Sequence, residues 1–450
     1  MRKGLAASII ASLLLVLIVY TFGSRLEPRS PSFEAETFSA KMQRLQSDNH
    51  LLRPQKPSTK HPKSNRFAQF AVALKTGGET LHERVPMQLL TFLSEVDNIV
   101  LIGDTSAKIG ERNVVDVYTD LYAKTRKKLG IVEVGAEDEP FKRTIKKEDV
   151  NAFKNQGQGK RVISGQDVST DGWQADAHKN LPGFQVLVET YPDADWYLMI
   201  DDDTYVVMDN LAQYLEAKNP NEPHFIGRNN YFKGCDGVTQ FHTGPGAGTA
   251  EHPYIAQGGS GIIISRGAMK KMTKGLNQCI IKYQNCWAGD IRTALCLRDN
   301  GVVVSWGDGF YENPPLDEIR FPDDPCSLPN TFHHVLPSQM QTLYEVEREN
   351  WNFRGTLTTT MDRIFAAFHS SESFVEKDTN RPDGDIEVHN DVETADKCQN
   401  LCTKVQFCLA WTFDEIGGHC RLKNRLGEPK SGLKGYTSGV IGGRYTCKRV

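Results

Sequence analysis

No charged side chain interrupts residues 4–22, where Leu13, Leu14, Leu15, Val16, Leu17, Ile18 and Val19 run consecutively. A helix of that length spans about 30 Å, the thickness of a bilayer's hydrocarbon core. The pattern predicts a transmembrane signal anchor over 4–22, with Arg2 and Lys3 on its cytosolic side. A cleaved signal peptide is the rival, but its apolar stretch is shorter, about 7 to 15 residues. Residues 27–65 hold many Pro, Ser, Lys and Gln and few large apolar side chains, which predicts a flexible stem.

From Phe67 the pattern becomes that of a folded domain. Phe70-Ala71-Val72-Ala73-Leu74 reads as a buried strand, 84–95 as a helix and 98–104 as a second strand ending at Asp104. Residues 183–190 read as a helix, 195–200 as a strand, and 205–215 as a short strand and helix. Strands alternating with helices predict an α/β domain, a mostly parallel sheet flanked by helices, with ligands beyond the carboxyl ends of the strands. Segments 141–160 and 227–252 lack periodicity and read as surface or active-site loops. The composition turns polar again around 370–385. The expected order is therefore a domain over 66–370, a linker over 371–382 and a small module over 383–450.

Charge narrows the field only slightly. With 53 basic against 56 acidic residues the formal net charge is -3, which gives no reason to expect a nucleic-acid partner. All ten cysteines lie between Cys235 and Cys447, beyond the anchor, as suits an oxidising lumen. No Asn-x-Ser/Thr sequon adds independent support.

The chemistry concentrates at Asp201, Asp202 and Asp203, directly after the apolar strand Trp196-Tyr197-Leu198-Met199-Ile200. Clustered carboxylates there are costly unless something positive binds. Hard oxygen ligands suit magnesium or manganese, which also bridge phosphate oxygens. Three acidic residues in a row are more often a solvated turn. Their place between that strand and Tyr205-Val206-Val207 favours the metal.

The run from Asp195 to Val207 resembles the D-x-D segment of glycosyltransferase family 31, which contains the core 1 β1,3-galactosyltransferases and the Fringe N-acetylglucosaminyltransferases. Pro223-His224-Phe225-Ile226-Gly227-Arg228, Gln257-Gly258-Gly259-Ser260-Gly261, Gly289-Asp290-Ile291 and Phe332-His333-His334 resemble later segments of that family in the same order. The resemblance covers roughly residues 67–343. It implies a GT-A nucleotide-sugar-binding fold and an inverting, single-displacement transfer of a hexose, galactose ahead of N-acetylglucosamine, from a UDP-sugar to a glycan or glycoprotein hydroxyl in β1,3 linkage. Asp203, Asp201 and His333 would hold a divalent metal, manganese by expectation. Asp290 would be the base. Thr76, Arg84, Asp104, Asp201, Asp202, Gly258 and Gly259 would line the nucleotide sugar.

Each assignment has a plainer rival. His333 and His334 compete for one ligand position, and His333 is preferred because it directly follows the aromatic residue. Asp290 could be a helix N-cap. Gly258 and Gly259 could be a simple turn, and a lone Lys179 is more often solvated than facing a diphosphate. Many relatives carry Glu where this chain has Gly289, which leaves the local geometry open.

Cys398, Cys402, Cys408, Cys420 and Cys447 lie within about 50 residues, too little chain for a large apolar core, so disulfides are the expected staples. Residues 395–405 read as a helix, and 410–414 and 418–422 as paired strands. This piece resembles a PAN/apple domain, which implies the pairs Cys398–Cys420 and Cys402–Cys408 and a carbohydrate or protein ligand. Cys447 and the five cysteines upstream leave two odd counts, which one bridge between domains or chains would settle. The leading reading is a membrane-anchored Golgi or endoplasmic-reticulum enzyme with a lumenal catalytic domain. The rivals are an inactive lectin-like scaffold of the secretory pathway and a folding partner for another transferase.

Overall fold

The computed structural model describes residues 66–130, 175–230, 254–284, 286, 288–319, 323–350, 358–368, 372–427 and 429–448. Among these, no helix is long and apolar enough to cross a membrane, and the expected anchor and stem, 4–22 and 27–65, lie outside them. Segment 141–160 and most of 227–252 lie outside them as well.

The strands in chain order are β1 Phe70–Lys75, β2 Ile99–Gly103, β3 Ala107–Ile109, β4 Arg112–Asp116, β5 Trp196–Asp201, β6 Tyr205–Val206, β7 Phe225–Gly227, β8 Asn229–Asn230, β9 Ile255–Ala256, β10 Ile262–Ser265, β11 Ser305–Trp306 and β12 Thr331–Phe332. Eight of them form one sheet in the order β11-β7-β10-β5-β1-β2-β4-β3. β1 lies parallel between β5 and β2, β4 continues parallel to β2, and β11 is parallel to β7. β10 runs antiparallel to both β5 and β7, so β5, β7 and β11 share one direction. Central strands covered on both faces read as continuous apolar runs, and every residue of β1 is buried.

The helices Asn180–Thr190, Arg266–Lys282 and Gly289–Asp299 pack together on one face. There Phe184, Leu187, Met269 and Leu295 share a core with Ala71 and Ala73 of β1 and with Tyr197 and Met199 of β5. The two-residue alternation of a strand turns Val72 and Leu74 to the opposite face. The expected helix over 84–95 is a helix over Leu81–Leu90 followed by a 3-10 turn, Phe92–Glu95. The break falls at Thr91, whose hydroxyl donates to the Met87 carbonyl (2.7 Å) and competes with continuation of the helix.

The C-terminal module adds β13 Phe374–Lys377, β14 Thr379–Asn380, β15 Asp385–His389, β16 Ala410–Asp414, β17 His419–Lys423, β18 Lys430–Ser431 and β19 Tyr436–Val440. Five of these form a sheet in the order β13-β19-β16-β17-β15, and β14 pairs with β18. Phe374–Lys377 and Thr379–Asn380, inside the span 371–382 expected as a linker, are thus strands of the module. The alternation of exposed and half-buried positions on the edge strand β13, not an apolar run, hid them. The helix Ala395–Lys404 carries Cys398 and Cys402, bonded to Cys420 and Cys408. Cys326 is bonded to Cys447, so the odd cysteine joins the module covalently to the domain before it. Cys447 N–H donates to Asp362 Oδ2 (2.9 Å), and Tyr445 packs its ring 5.3 Å from Phe365 at the same junction.

Candidate functional site

β1, β2 and β5 end side by side, and their carboxyl ends deliver Lys75 and Thr76, Asp104, and Asp201 to one edge of the sheet. The chain then turns through Asp202 and Asp203 into β6, which pairs antiparallel with β12, Tyr205 opposite Phe332. That pairing carries the residues that follow β12, His333 and His334, back over the aspartates. The Val335 N–H closes the arrangement on the Asp203 carbonyl (2.9 Å).

His333 Nε2 lies 3.2 Å from Asp203 Oδ1 and His334 Nδ1 lies 3.4 Å from Oδ2, with the two rings stacked 3.7 Å apart. His334 reaches this position with a φ of 56°, in the left-handed region that costs most residues energy. Burial works against the Asp203 carboxylate, but the imidazole of His333, then that of His334, holds it well below the usual range. The reciprocal effect raises His333 despite its burial.

The three aspartates have three different settings. Asp202 is buried and accepts hydrogen bonds from Thr76 Oγ1 (2.7 Å) and Thr80 Oγ1, with Arg84 Nη1 at 3.1 Å. Arg84 also reaches Asp203 Oδ2 at 3.4 Å. Asp201 pairs instead with Lys75 Nζ, 3.0 Å distant. Lys75 is only 4% exposed and also contacts Asp176 (2.6 Å) and Asn180 Oδ1 (3.2 Å). Burial opposes the charge of Lys75, but Asp176 and Asp201 raise its pKa above the usual value.

Asp104 accepts from the Gly78 N–H (2.9 Å) and pairs with Lys179 (2.9 Å). Lys179, read from sequence as more often solvated, is 2% exposed, and its ammonium also donates to the Thr76 carbonyl (2.9 Å). Both lysines therefore brace the loop ends around the site.

Asp290 lies in the first turn of the helix Gly289–Asp299, whose N-cap is Ala288, so Asp290 is not the cap. Its Oδ2 accepts the Gly258 N–H (3.1 Å) and its Oδ1 the Ile291 N–H (2.8 Å). Burial raises its pKa and these two bonds partly offset that, leaving a carboxyl nearer neutrality than usual, as suits a base. Gly258 thus anchors Asp290. Gly259 makes room for His333, since a Cβ there would lie 2.0 Å from the imidazole Cε1. Gly289 leaves room for a neighbour: a Cβ there would lie 2.6 Å from the Asn180 side chain.

Asp203, His333 and His334 bring three ligand atoms within 4.8 Å of one another, while Asp201, expected as a ligand, does not join them. One carboxylate and two imidazoles suit manganese or a later divalent ion better than magnesium. His333 Nδ1 is buried without a hydrogen-bond partner among the described residues, so the ring is placed by Asp203 at Nε2, by the stacked His334 ring and by the bare surface of Gly259. These residues fit a divalent cation.

The sequence motif favours His333 over His334 and does not single out Lys75, Thr80 or Asn180. The only signal for Lys75 was its place at the end of an apolar strand. Thr80 and Asn180 carried none.

A family model described as Fringe-like matches residues 66–341, and a PAN domain model matches 370–447. The chain is 28% identical to a human beta-1,3-glucosyltransferase over 31% of this chain and 24% of that protein. It is 25% identical to a Xenopus laevis glycoprotein-N-acetylgalactosamine 3-beta-galactosyltransferase 1 over 36% of this chain and 49% of that protein. Against human chondroitin sulfate synthase 3 the figures are 23%, 36% and 17%. The chain thus spans less than half the length of each of these relatives. A solved glycosyltransferase involved in the glycosylation of the major capsid of PBCV-1 aligns over 61% of this chain and 98% of its own, at 12% identity and a TM-score of 0.25, too low to bear on the fold.

Proposed function

Because the chain belongs to the Fringe-like family, we propose that it is an inverting, metal-dependent glycosyltransferase that moves a hexose, galactose first among the candidates, from a UDP-sugar to a glycan or glycoprotein hydroxyl in β1,3 linkage. The observation that carries this reading is the set of Asp203, His333 and His334 on one side and half-buried Asp290 on the other, joined through the adjacent glycines 258 and 259.

A divalent cation, manganese by expectation, would neutralise charge on the departing diphosphate. Asp203 and the two imidazoles would hold the ion. Lys75 fixes Asp201 at the adjoining strand end, and Arg84 clamps Asp202 beside Asp203. Thr76, Arg84 and Asp104, at the ends of the first strands, border the nucleotide side. Asp290 accepts the acceptor hydroxyl proton as that oxygen bonds to the anomeric carbon and the bond to UDP breaks, which inverts the anomeric centre. The disulfides among the described residues, and the anchor expected over 4–22, support residence in the Golgi or endoplasmic-reticulum membrane with this domain in the lumen.

The test is the product of the purified full chain with manganese and a panel of UDP-hexoses and saccharide acceptors. Proton NMR should show a β-linked sugar on a 3-hydroxyl. An α-linked product would overturn the single-displacement reading.

A further inference from the structure

The carboxyl end of β11 carries a tryptophan that nothing in the fold explains. Trp306 is 61% exposed, although an indole is among the largest apolar groups a protein can bury. β11 is parallel to β7 with Trp306 opposite Gly227, and β7 runs in the direction of β5, so Trp306 emerges at the same end of the sheet as Asp201.

In the strand order, the nucleotide-side ends of β1 and β2 lie four and five strands from β11, roughly 19 Å or more at the usual spacing. Asp290 lies between them. The Gln257 N–H donates to the Arg228 carbonyl (2.9 Å), Gly227 abuts Ala256, and Gly258 donates to Asp290. Trp306 is therefore on the order of 10–15 Å from the base, one or two sugar rings away, on the side opposite the nucleotide.

Polar groups flank the indole. The Arg228 guanidinium stands 6.0 Å from the ring centroid and its Nε is 3.5 Å from Glu312 Oε1. Glu312 is held in place because Tyr311 before it stacks on Phe332 at 5.2 Å, the residue preceding His333. A pyranose has one face of C–H bonds and a rim of hydroxyls. The C–H face matches the negative face of an indole, and a guanidinium beside a carboxylate offers donor and acceptor to the rim.

We propose that Trp306, with Arg228 and Glu312, seats a sugar ring of the acceptor saccharide and so presents its hydroxyl to Asp290. This rests on the glycosyltransferase reading above. A nucleotide base is the wrong occupant, because the donor's strand ends lie across the sheet. The platform also explains why an edge strand of two residues places its only aromatic side chain in water.

The experiment uses the purified full chain with manganese, the UDP-hexose that it consumes, and a panel of methyl glycosides, which lack an aromatic aglycone that could itself stack. Trp306→Ala should raise the acceptor KM about tenfold or more, the effect expected of truncating an aromatic anchor, with no rise in donor KM. Trp306→Phe should recover most of the loss, and Glu312→Gln should raise acceptor KM in the same direction. Saturation-transfer NMR of the best methyl glycoside, without donor, should lose its signal in Trp306→Ala. If the wild type transfers sugar and Trp306→Ala leaves acceptor KM unchanged, or raises donor KM instead, the platform is wrong. If the wild type consumes no sugar nucleotide at all, the transferase reading fails and the platform falls with it.

Discussion

Two adjacent glycines, 258 and 259, should respond unequally to the same small change. At Gly259 an added Cβ would lie 2.0, 2.1 and 2.3 Å from Cε1, Nε2 and Nδ1 of His333. Ordinary contact begins near 3.4 Å, so the imidazole would have to retreat by about 1.4 Å. The backbone has little freedom to yield instead, because the Gly259 carbonyl accepts a 2.6 Å hydrogen bond from Thr204, next to Asp203. Metal–ligand distances tolerate only about 0.2 Å, so a shift of that size removes His333 from the ligand set. The expected cost of Gly259→Ala is a loss of manganese affinity of about tenfold to a hundredfold, or roughly 1.4–2.7 kcal/mol. At Gly258 the nearest atom is Asp290 Cβ at 3.6 Å, an ordinary contact, so Gly258→Ala should bind manganese within about threefold of wild type. The assay is a manganese titration of the full chain, read by calorimetry and by the electron paramagnetic resonance of the free ion. Equal affinity in Gly259→Ala and wild type, with affinity abolished in Asp203→Ala, would refute His333 as a ligand.

Burial raises the Glu347 carboxyl to about 8, while Tyr205 donates to its Oε1 at 2.6 Å. A folded-state pKa above the unfolded one gives stability that is full below about pH 4.5 and lost as pH rises through 8. Glu347→Gln should therefore exceed wild type by on the order of 4 kcal/mol at pH 9 and by nothing comparable at pH 4, read from chemical denaturation. An equal difference at both pH values would contradict this. Replacing Cys326 and Cys447 together by Ser opens a loop of sequence separation 121, for which chain entropy gives about 4–5 kcal/mol. Thermal unfolding should then separate into two transitions, and a single unchanged transition would argue against a tethering role. Gly289→Ala should cost about 1–3 kcal/mol by crowding Asn180, and adding Asn180→Ala should recover part of that. Strictly additive losses in the double variant would show that the two positions do not touch.

The strands were the most legible part of the fold. Ala410–Asp414 falls where alternation put it, and β1 and β5 each extend one residue beyond the expected apolar run, to Lys75 and Asp201. Those extra residues are charged, and only tertiary partners such as Asp176 make a buried lysine tolerable. The Asp203–His333 pairing was legible because motif order preserves it. The place of His334 was not, since it depends on one left-handed backbone angle. Asp201's engagement with Lys75 and Gly259's accommodation of an imidazole are likewise products of packing across more than 70 residues of chain. The bridge from Cys447 to the upstream domain could be foreseen from odd counts, but its partner, Cys326, could not.

The central claim is that Asp203 and Asp290 divide the work, one holding the metal and the other taking the proton. The most direct measurement is UDP release by the full chain from a panel of UDP-hexoses with manganese and a saccharide acceptor, comparing wild type, Asp203→Ala and Asp290→Asn. The account predicts acceptor-dependent release by the wild type that chelation abolishes. Asp203→Ala should lose both release and manganese binding, whereas Asp290→Asn should lose release and still bind the ion. No consumption of any sugar nucleotide, or release that survives both substitutions, would contradict it.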